Sequence, residues 1–238
     1  MQSSRGNKTQ KELMVHIKKP YEFKAHVKVL SKGVKIYTVK IIFVGNTFAG
    51  KTSLIRRWID GKFPDPAALR ATIGIAFHRK DIKINEHTIL RLQIWDIAGA
   101  PRYFDLIEHT PSLLGGAAFI LMQFELYWYG CEDSLSYLED YIIPLIESVY
   151  KIDLNKPHPD FVAILGNKVD LVRKEWNKKN SNTLLLKPPC VSNFLEKYPQ
   201  KYFSVSAESG EGVQSAMDYV IDKIKNKLSL IDNLVDNT

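Results

Sequence analysis

The sequence predicts an α/β protein built on a mixed, mostly parallel sheet. Three continuous apolar segments predict it: YTVKIIFVG at 37–45, GGAAFILMQF at 115–124 and PDFVAILGN at 159–167. Runs of this length without polar alternation suit strands covered on both faces. Helical periodicity separates them, so the order alternates strand and helix.

Each element follows in turn. SLIRRWI (53–59) reads as a helix after the first strand. IGIAFHRKDIKI (73–84) and TILRLQIWDI (88–97), joined by the short NEH, read as a hairpin that supplies an antiparallel edge. DSLSYLEDYIIPLIESVY (133–150) is helical, with Pro144 as a kink point. Residues 171–193, with LysGluTrp at 174–176, then AsnLysLysAsnSerAsn and a ProPro pair, read as a surface loop. EGVQSAMDYVIDKIKNKLSLI (211–231) forms the last helix. The 238 residues suffice for one good-sized core, divided here into a basic extension (1–35), a domain (36–232) and a short tail (233–238).

The net charge of +7 is local. Residues 1–40 carry ten basic side chains against Glu12 and Glu22, which leaves the remainder near neutral. Basicity therefore gives no argument that the globular part binds nucleic acid. The extension interleaves lysines with apolar residues. It suits weak contact with an anionic membrane, a solvated tail, or an extra strand pair turning at the SerLysGly of 31–33. Cys131 and Cys190 are too few for a disulfide framework and lack metal-ligand spacing. No apolar run reaches membrane-spanning length and no leader pattern opens the chain, so a cytoplasmic protein is expected.

The chemistry is concentrated in GNTFAGKT (45–52), which matches Gly, four residues, Gly, Lys, Ser or Thr between a strand and a helix. Successive backbone N–H groups and the helix amino end attract phosphate. Lys51 reaches the outer phosphates and the Thr52 hydroxyl suits Mg2+. Thr47, Phe48, Ala49, Gly50 and Ser53 complete this subsite. LGNKVD (165–170) ends a strand where open α/β sheets bind ligands. Asp170 can accept two hydrogen bonds from the guanine N1 and amine edge, a pair that adenine cannot donate. Asn167 is expected to face the other edge and Lys168 to pack along ring and sugar. Ser206, Ala207 and Glu208 follow the strand KYFSV, with the Ala207 N–H aimed at the guanine oxygen.

These elements in this order resemble the Ras-like small GTPases, most closely the Rab branch. The residues that carry the resemblance are GNTFAGKT, the ThrIleGly at 72–74, LQIWDIAG at 92–99, GNKVD and SAE. It implies a P-loop GTPase fold, a six-stranded mixed sheet flanked by five helices, and two loops (61–73 and 96–114) that order around a γ-phosphate. It further implies Mg2+ with GTP or GDP, held by Thr52, Thr72 and Asp96, contact from the Gly99 N–H to the γ-phosphate, and Phe63 edge-on against the base. FPDPAALRAT (63–72) is about two residues longer than the family's usual spacing. Effectors, an exchange factor and a GTPase-activating protein are implied partners, with Ile73, Ile75, Phe77 and Trp95 as the apolar surface they read. The terminal SLIDNLVDNT lacks the family's cysteines, so no prenyl anchor is expected there.

One departure bears on catalysis. Where the family places a Gln that orients water, this chain has Ala100, followed by Pro101. Alanine cannot aim a water molecule, and the proline biases Ala100 away from helical backbone. Gln93 and Gln123 lie in strands and read as structural, and His109 reads as solvated. No residue is assigned as catalytic. Two functions are expected from this: a switch with slow, partner-dependent hydrolysis, or a constitutively GTP-bound module without turnover. A P-loop kinase is disfavoured by GNKVD.

Overall fold

The computed structural model describes residues 11–17, 23–30, 33–65, 67, 69–103, 108–158, 160–179 and 188–235. Expectations for residues 1–10, for the tail beyond 235 and for parts of the loops at 104–107 and 180–187 lie outside the described residues.

Eight strands form one sheet. They are β1 (Lys11–Ile17), β2 (Phe23–Val29), β3 (Lys35–Val44), β4 (Ile75–Asn85), β5 (Thr88–Ile97), β6 (Phe119–Glu125), β7 (Val162–Asn167) and β8 (Lys201–Ser204). Strands β5, β3, β6, β7 and β8 run parallel, and β4 closes one edge as the antiparallel arm of the 75–97 hairpin. These are the six strands of the predicted fold class. The other two extend it, because β3 is long enough to have two neighbours along one edge. Its carboxyl half, Ile41–Val44, pairs β6, while Lys35–Val39 pairs β2 antiparallel and β1 adds outside β2. Gly33 turns the chain between β2 and β3, beside a bond from the Leu30 N–H to the Val34 carbonyl.

Five helices flank the sheet among the described residues: α1 (Lys51–Asp60), α2, α3 (Val169–Lys179), α4 (Pro189–Lys197) and α5 (Val213–Val235). Helix α2 is continuous through Trp128–Tyr137, a π-helical turn at Leu138–Ile142, and Ile143–Tyr150. The π turn sits where Pro144 removes a backbone donor, and a widened turn accommodates such a loss. The surface loop expected at 171–193 is corrected to two helices on either side of residues 180–187. Helix α3 is polar outside but buries Val172, with Lys174 and Asp170 paired one turn apart at 3.5 Å. Pro189 opens α4 rather than ending a loop, since its missing N–H is an orphan at the first turn anyway.

Alternate residues of β3 enter the two core layers. Tyr37, Val39, Ile41 and Phe43 pack with α1 and α5, whereas Ile42 and Val44 face the layer under α2, α3 and α4. Ala25 and Val27 of β2 are fully buried in the first layer. The core thus crosses the division drawn at residue 35.

Candidate functional site

The loops at the carboxyl ends of β3, β5, β7 and β8 line a cleft of about 400 Å3. Its floor is the 45–50 loop. Gly50 has φ +84°, the left-handed region, and a Cβ there would collide with the Asn167 amide. Phe48 also takes a positive φ, +64°, and its ring is 78% exposed at the cleft, so it is not packed into the loop's interior. Lys51 is buried, and its ammonium donates to the carbonyls of Gly45 (2.7 Å) and Asn46 (2.9 Å). Burial lowers its pKa to about 8, and the charge of Asp96 opposes that shift.

Three oxygen-bearing side chains converge beside it. The Thr52 hydroxyl donates to Asp96 Oδ2. Thr72 Oγ1 lies 2.9 Å from Thr52 Oγ1 and 3.3 Å from Asp96 Oδ2, so the longer 63–72 segment still delivers its threonine. Asp96 is fully buried, and its Oδ1 has no hydrogen-bond partner. A buried, unsatisfied carboxylate oxygen is costly unless a cation or donor meets it. One carboxylate and two hydroxyls suit a hard divalent ion that takes its remaining ligands from phosphate and water. Among the described residues no cluster of three His, Cys, Asp or Glu exists that could bind a metal without such help.

The other end of the cleft is built by the loops after β7 and β8. Ser206 donates to Asp170 Oδ1 at 2.7 Å, which orients the carboxylate. Asp170 Oδ2 is buried without a hydrogen bond, while the Lys174 ammonium stands 3.5 Å away as an ion pair. Asn167 is almost wholly buried. Its amide donates to the Ala49 carbonyl (2.9 Å), and its oxygen accepts from the Ala207 N–H (3.1 Å). The structure therefore uses Asn167 as a strut between three loops. Lys168, at φ +70°, pairs with Glu125 at 2.7 Å.

Of the residues singled out for nucleotide contact, Thr47, Phe48, Gly50, Lys51, Thr52, Ser53, Phe63, Thr72, Gly99, Asn167, Lys168, Asp170, Ala207 and Glu208 line the cleft. Ala49 and Ser206 stand behind it as supports. Gly99 abuts the phosphate loop so closely that a Cβ would collide with the backbone of Gly45, Asn46 and Thr47. Ala100 lines the cleft too, its carbonyl held by the Tyr103 N–H at 2.9 Å. Sequence reasoning missed Leu69, Arg70, Ala71 and Leu171, which also line it. Leu171 adjoins the flagged Asp170, which was the available signal. Gln123, read as structural, proves to be a second strut, its amide donating to the Ala49 carbonyl at 2.7 Å. Gln93 is exposed on β5.

Ile73 and Phe77 are strongly exposed, 76% and 65%, while Ile75 and Trp95 are half-buried. Phe77 and Trp95 meet edge to face at 4.8 Å, and the Lys40 ammonium lies 3.6 Å over the Trp95 ring. Lys40 also donates to the Leu113 carbonyl at 2.7 Å.

A strand, glycine loop and helix that present a buried lysine, with a buried carboxylate at the far end of the same cleft, define a P-loop nucleotide-binding protein. The comparisons give the family. Residues 40–226 match the Ras family, and the chain belongs to it as a Ras-like GTPase of the Rab branch. It is 30% identical to "Ras-related protein Rab-18-B" of Danio rerio, over 84% of this chain and 85% of that one. It is 29% identical to "Ras-related protein Rab-9A" of Rattus norvegicus, over 82% and 87% of the two chains. To "GTP-binding protein YPT53" of Saccharomyces cerevisiae it is 27% identical, over 79% and 76%.

Proposed function

We propose that the chain binds GTP or GDP with Mg2+ in this cleft and acts as a Rab-like switch whose GTP hydrolysis is slow. The observation that carries the reading is a single cleft with Lys51 and Thr52 at one end and the buried, unbonded Asp170 Oδ2 at the other. The loop's N–H groups and Lys51 would hold the phosphates. Thr52, Thr72 and Asp96 would hold Mg2+, which neutralises charge on the outer phosphates. Asp170 would accept from the N1 and amine edge of guanine, and Ala207 would share its N–H between Asn167 and the guanine oxygen. Phe63 would cover the base, and Gly99 would contact the γ-phosphate.

Proteins that read the nucleotide state would do so at Ile73, Ile75, Phe77 and Trp95, beside the loops expected to reorder. Exchange and activating proteins belong to the same reading, as does a cytoplasmic site of action. No helix among the described residues is long and apolar enough to cross a membrane. Contact of the basic extension with an anionic membrane stays part of the proposal. It is tested by liposome sedimentation with and without residues 1–35, and no difference removes it.

A second reading, a module that stays GTP-bound, is favoured by Ala100 in the cleft wall, with Pro101 directly after it. Single-turnover hydrolysis separates the two. The nucleotide assignment itself is tested by calorimetry of stripped protein with GTP, GDP and ATP in Mg2+. GTP and GDP are expected to bind at least roughly 100-fold more tightly than ATP, about 2.7 kcal/mol. Equal binding of ATP, or no binding of any, overturns it.

A further inference from the structure

The two cysteines are 59 positions apart, and the fold brings their sulfurs to 3.3 Å. Cys131 lies in the first turns of α2 and is 1% exposed, whereas Cys190 opens α4 and is partly exposed. Cys190 also lines a shallow surface groove with Glu139, Asn193 and Lys197, so a small solute can reach it. Both helices are fixed in the same core layer, Leu135 and Leu138 from α2 and Val191 and Phe194 from α4. Forming a disulfide from this arrangement needs the sulfurs to approach by only about 1.3 Å, within reach of a side-chain adjustment.

We propose that Cys131 and Cys190 are a reversible dithiol–disulfide site, opened to oxidation by a hydroperoxide at Cys190 and closed by Cys131. The Cys190 thiolate attacks one peroxide oxygen; the O–O bond breaks and hydroxide leaves as water, with sulfur oxidised to a sulfenic acid. The Cys131 sulfur then attacks Cys190 sulfur. The S–S bond forms, the S–O bond breaks, and the departing hydroxide takes the Cys131 proton as a second water. Two thiols and one peroxide thus give one disulfide and two waters. Division of labour follows from access: burial holds the Cys131 thiol protonated and out of contact with oxidant, so it serves as the resolving group. The product would tie α2 to α4 covalently. The same turn of α2 is bonded through Ser134 to the Glu125 backbone, and Glu125 is the partner of Lys168.

The test uses the reduced full chain under native conditions, treated with one equivalent of hydrogen peroxide, then alkylated and analysed by intact mass and non-reducing peptide mapping. The expected result is loss of two hydrogen atoms, simultaneous loss of both alkylation sites, a Cys131–Cys190 linked peptide, and full reversal by dithiothreitol. C131S should stop at a sulfenic acid on Cys190 that dimedone captures, and C190S should leave Cys131 unoxidised. Over-oxidation of Cys190 with Cys131 still alkylatable overturns the proposal. So does a link between two chains, or failure of either thiol to react.

Discussion

The Asn167 amide donates to the Ala49 carbonyl at 2.9 Å, so a single side chain joins the loop after β7 to the phosphate loop. That carbonyl is held a second time by Gln123, and the Asn167 oxygen reaches on to the Ala207 N–H. The two ends of the cleft are thereby held in a fixed relation by buried hydrogen bonds, which are expensive to leave unmade.

Asn167→Ala should weaken every nucleotide by a similar factor. It orphans the Ala207 N–H and removes one of two donors to Ala49, at about 1–3 kcal/mol. GTP and ATP affinities are both expected to fall roughly tenfold or more, with their ratio unchanged and the melting temperature lowered by a few degrees. Calorimetry checks this. A collapsed GTP to ATP ratio would mean that Asn167 reads the base itself.

Asp170→Asn should do the converse. Its Oδ2 has no hydrogen bond in the protein and only the exposed Lys174 as an ion-pair partner at 3.5 Å, so an amide there loses an acceptor for guanine at little structural cost. Charge-assisted bonds contribute about 1.5–3 kcal/mol each. GTP affinity should therefore drop at least roughly tenfold while ATP binding is unchanged and the ligand-free protein melts no lower. A drop in melting temperature without a change in selectivity would make Asp170 a structural partner of Ser206 and Lys174 only.

Much of this was legible in the sequence because the informative signals were local. The strand, GNTFAGKT and helix succession needs neighbours within a few residues, and β3 and α1 form where the apolar run and the following periodicity place them. The hairpin at 75–97 was equally direct. The helices at 169–179 and 189–197 were missed because each buries only two residues on one short face, Val169 and Val172 in the first and Val191 and Phe194 in the second, and the polar run and ProPro pair between them read as loop. The strut role of Asn167 and the meeting of Cys131 with Cys190 were invisible for a different reason. Both depend on pairs far apart in the chain, and no periodicity encodes which loops converge.

Lys51 gives a pH prediction. In the free protein burial holds its pKa at about 8, below the ordinary 10.5, with Asp96 pulling the other way. Burial also lowers Lys227 to about 8, and burial together with Lys24 lowers Lys40 to about 8. The unfolded chain binds more protons between pH 8 and 10.5, so stability of the ligand-free protein rises through that window and is lost as pH falls through 8. Urea titrations at pH 7.5 and 9.5 should show the rise. A polyphosphate reverses the preference of Lys51, since it favours the charged form. Affinity for GDP should therefore fall about fivefold between pH 8 and 9, with close to one proton taken up per binding event at pH 9. Calorimetry in buffers of different ionisation enthalpy measures that uptake, and none at pH 9 would contradict it.

The first hairpin is tested by two substitutions on its opposite faces. Val27 is 1% exposed within the layer that contains Tyr37 and Leu90, whereas Met14 is 58% exposed. Val27→Asp places an unpaired charge in that layer and should cost about 3 kcal/mol or more, while Met14→Asp should stay within about 0.5 kcal/mol. Urea unfolding compares them. Equal, small effects would mean that β1 and β2 do not share the cooperative unit of the domain.

Ala100 carries the last prediction: it lines the cleft, and under the proposed function it stands where a water-orienting Gln is expected. The methyl group can neither accept nor donate, and Pro101 together with the bond from Tyr103 N–H to the Ala100 carbonyl fixes the short helical turn that follows. Hydrolysis of bound GTP should therefore run below the slow intrinsic rate of a Gln-bearing relative, itself on the order of 10⁻⁴ s⁻¹. Ala100→Gln should accelerate single turnover at least roughly tenfold, a barrier change of about 1.4 kcal/mol. Adding Pro101→Glu should increase the gain, since the proline restricts the backbone that has to present the new side chain. If Ala100→Gln leaves the rate unchanged while the double variant raises it, the backbone at Pro101 rather than the missing amide limits turnover. A wild-type rate equal to that of Gln-bearing relatives would show that water is oriented by another group in the cleft.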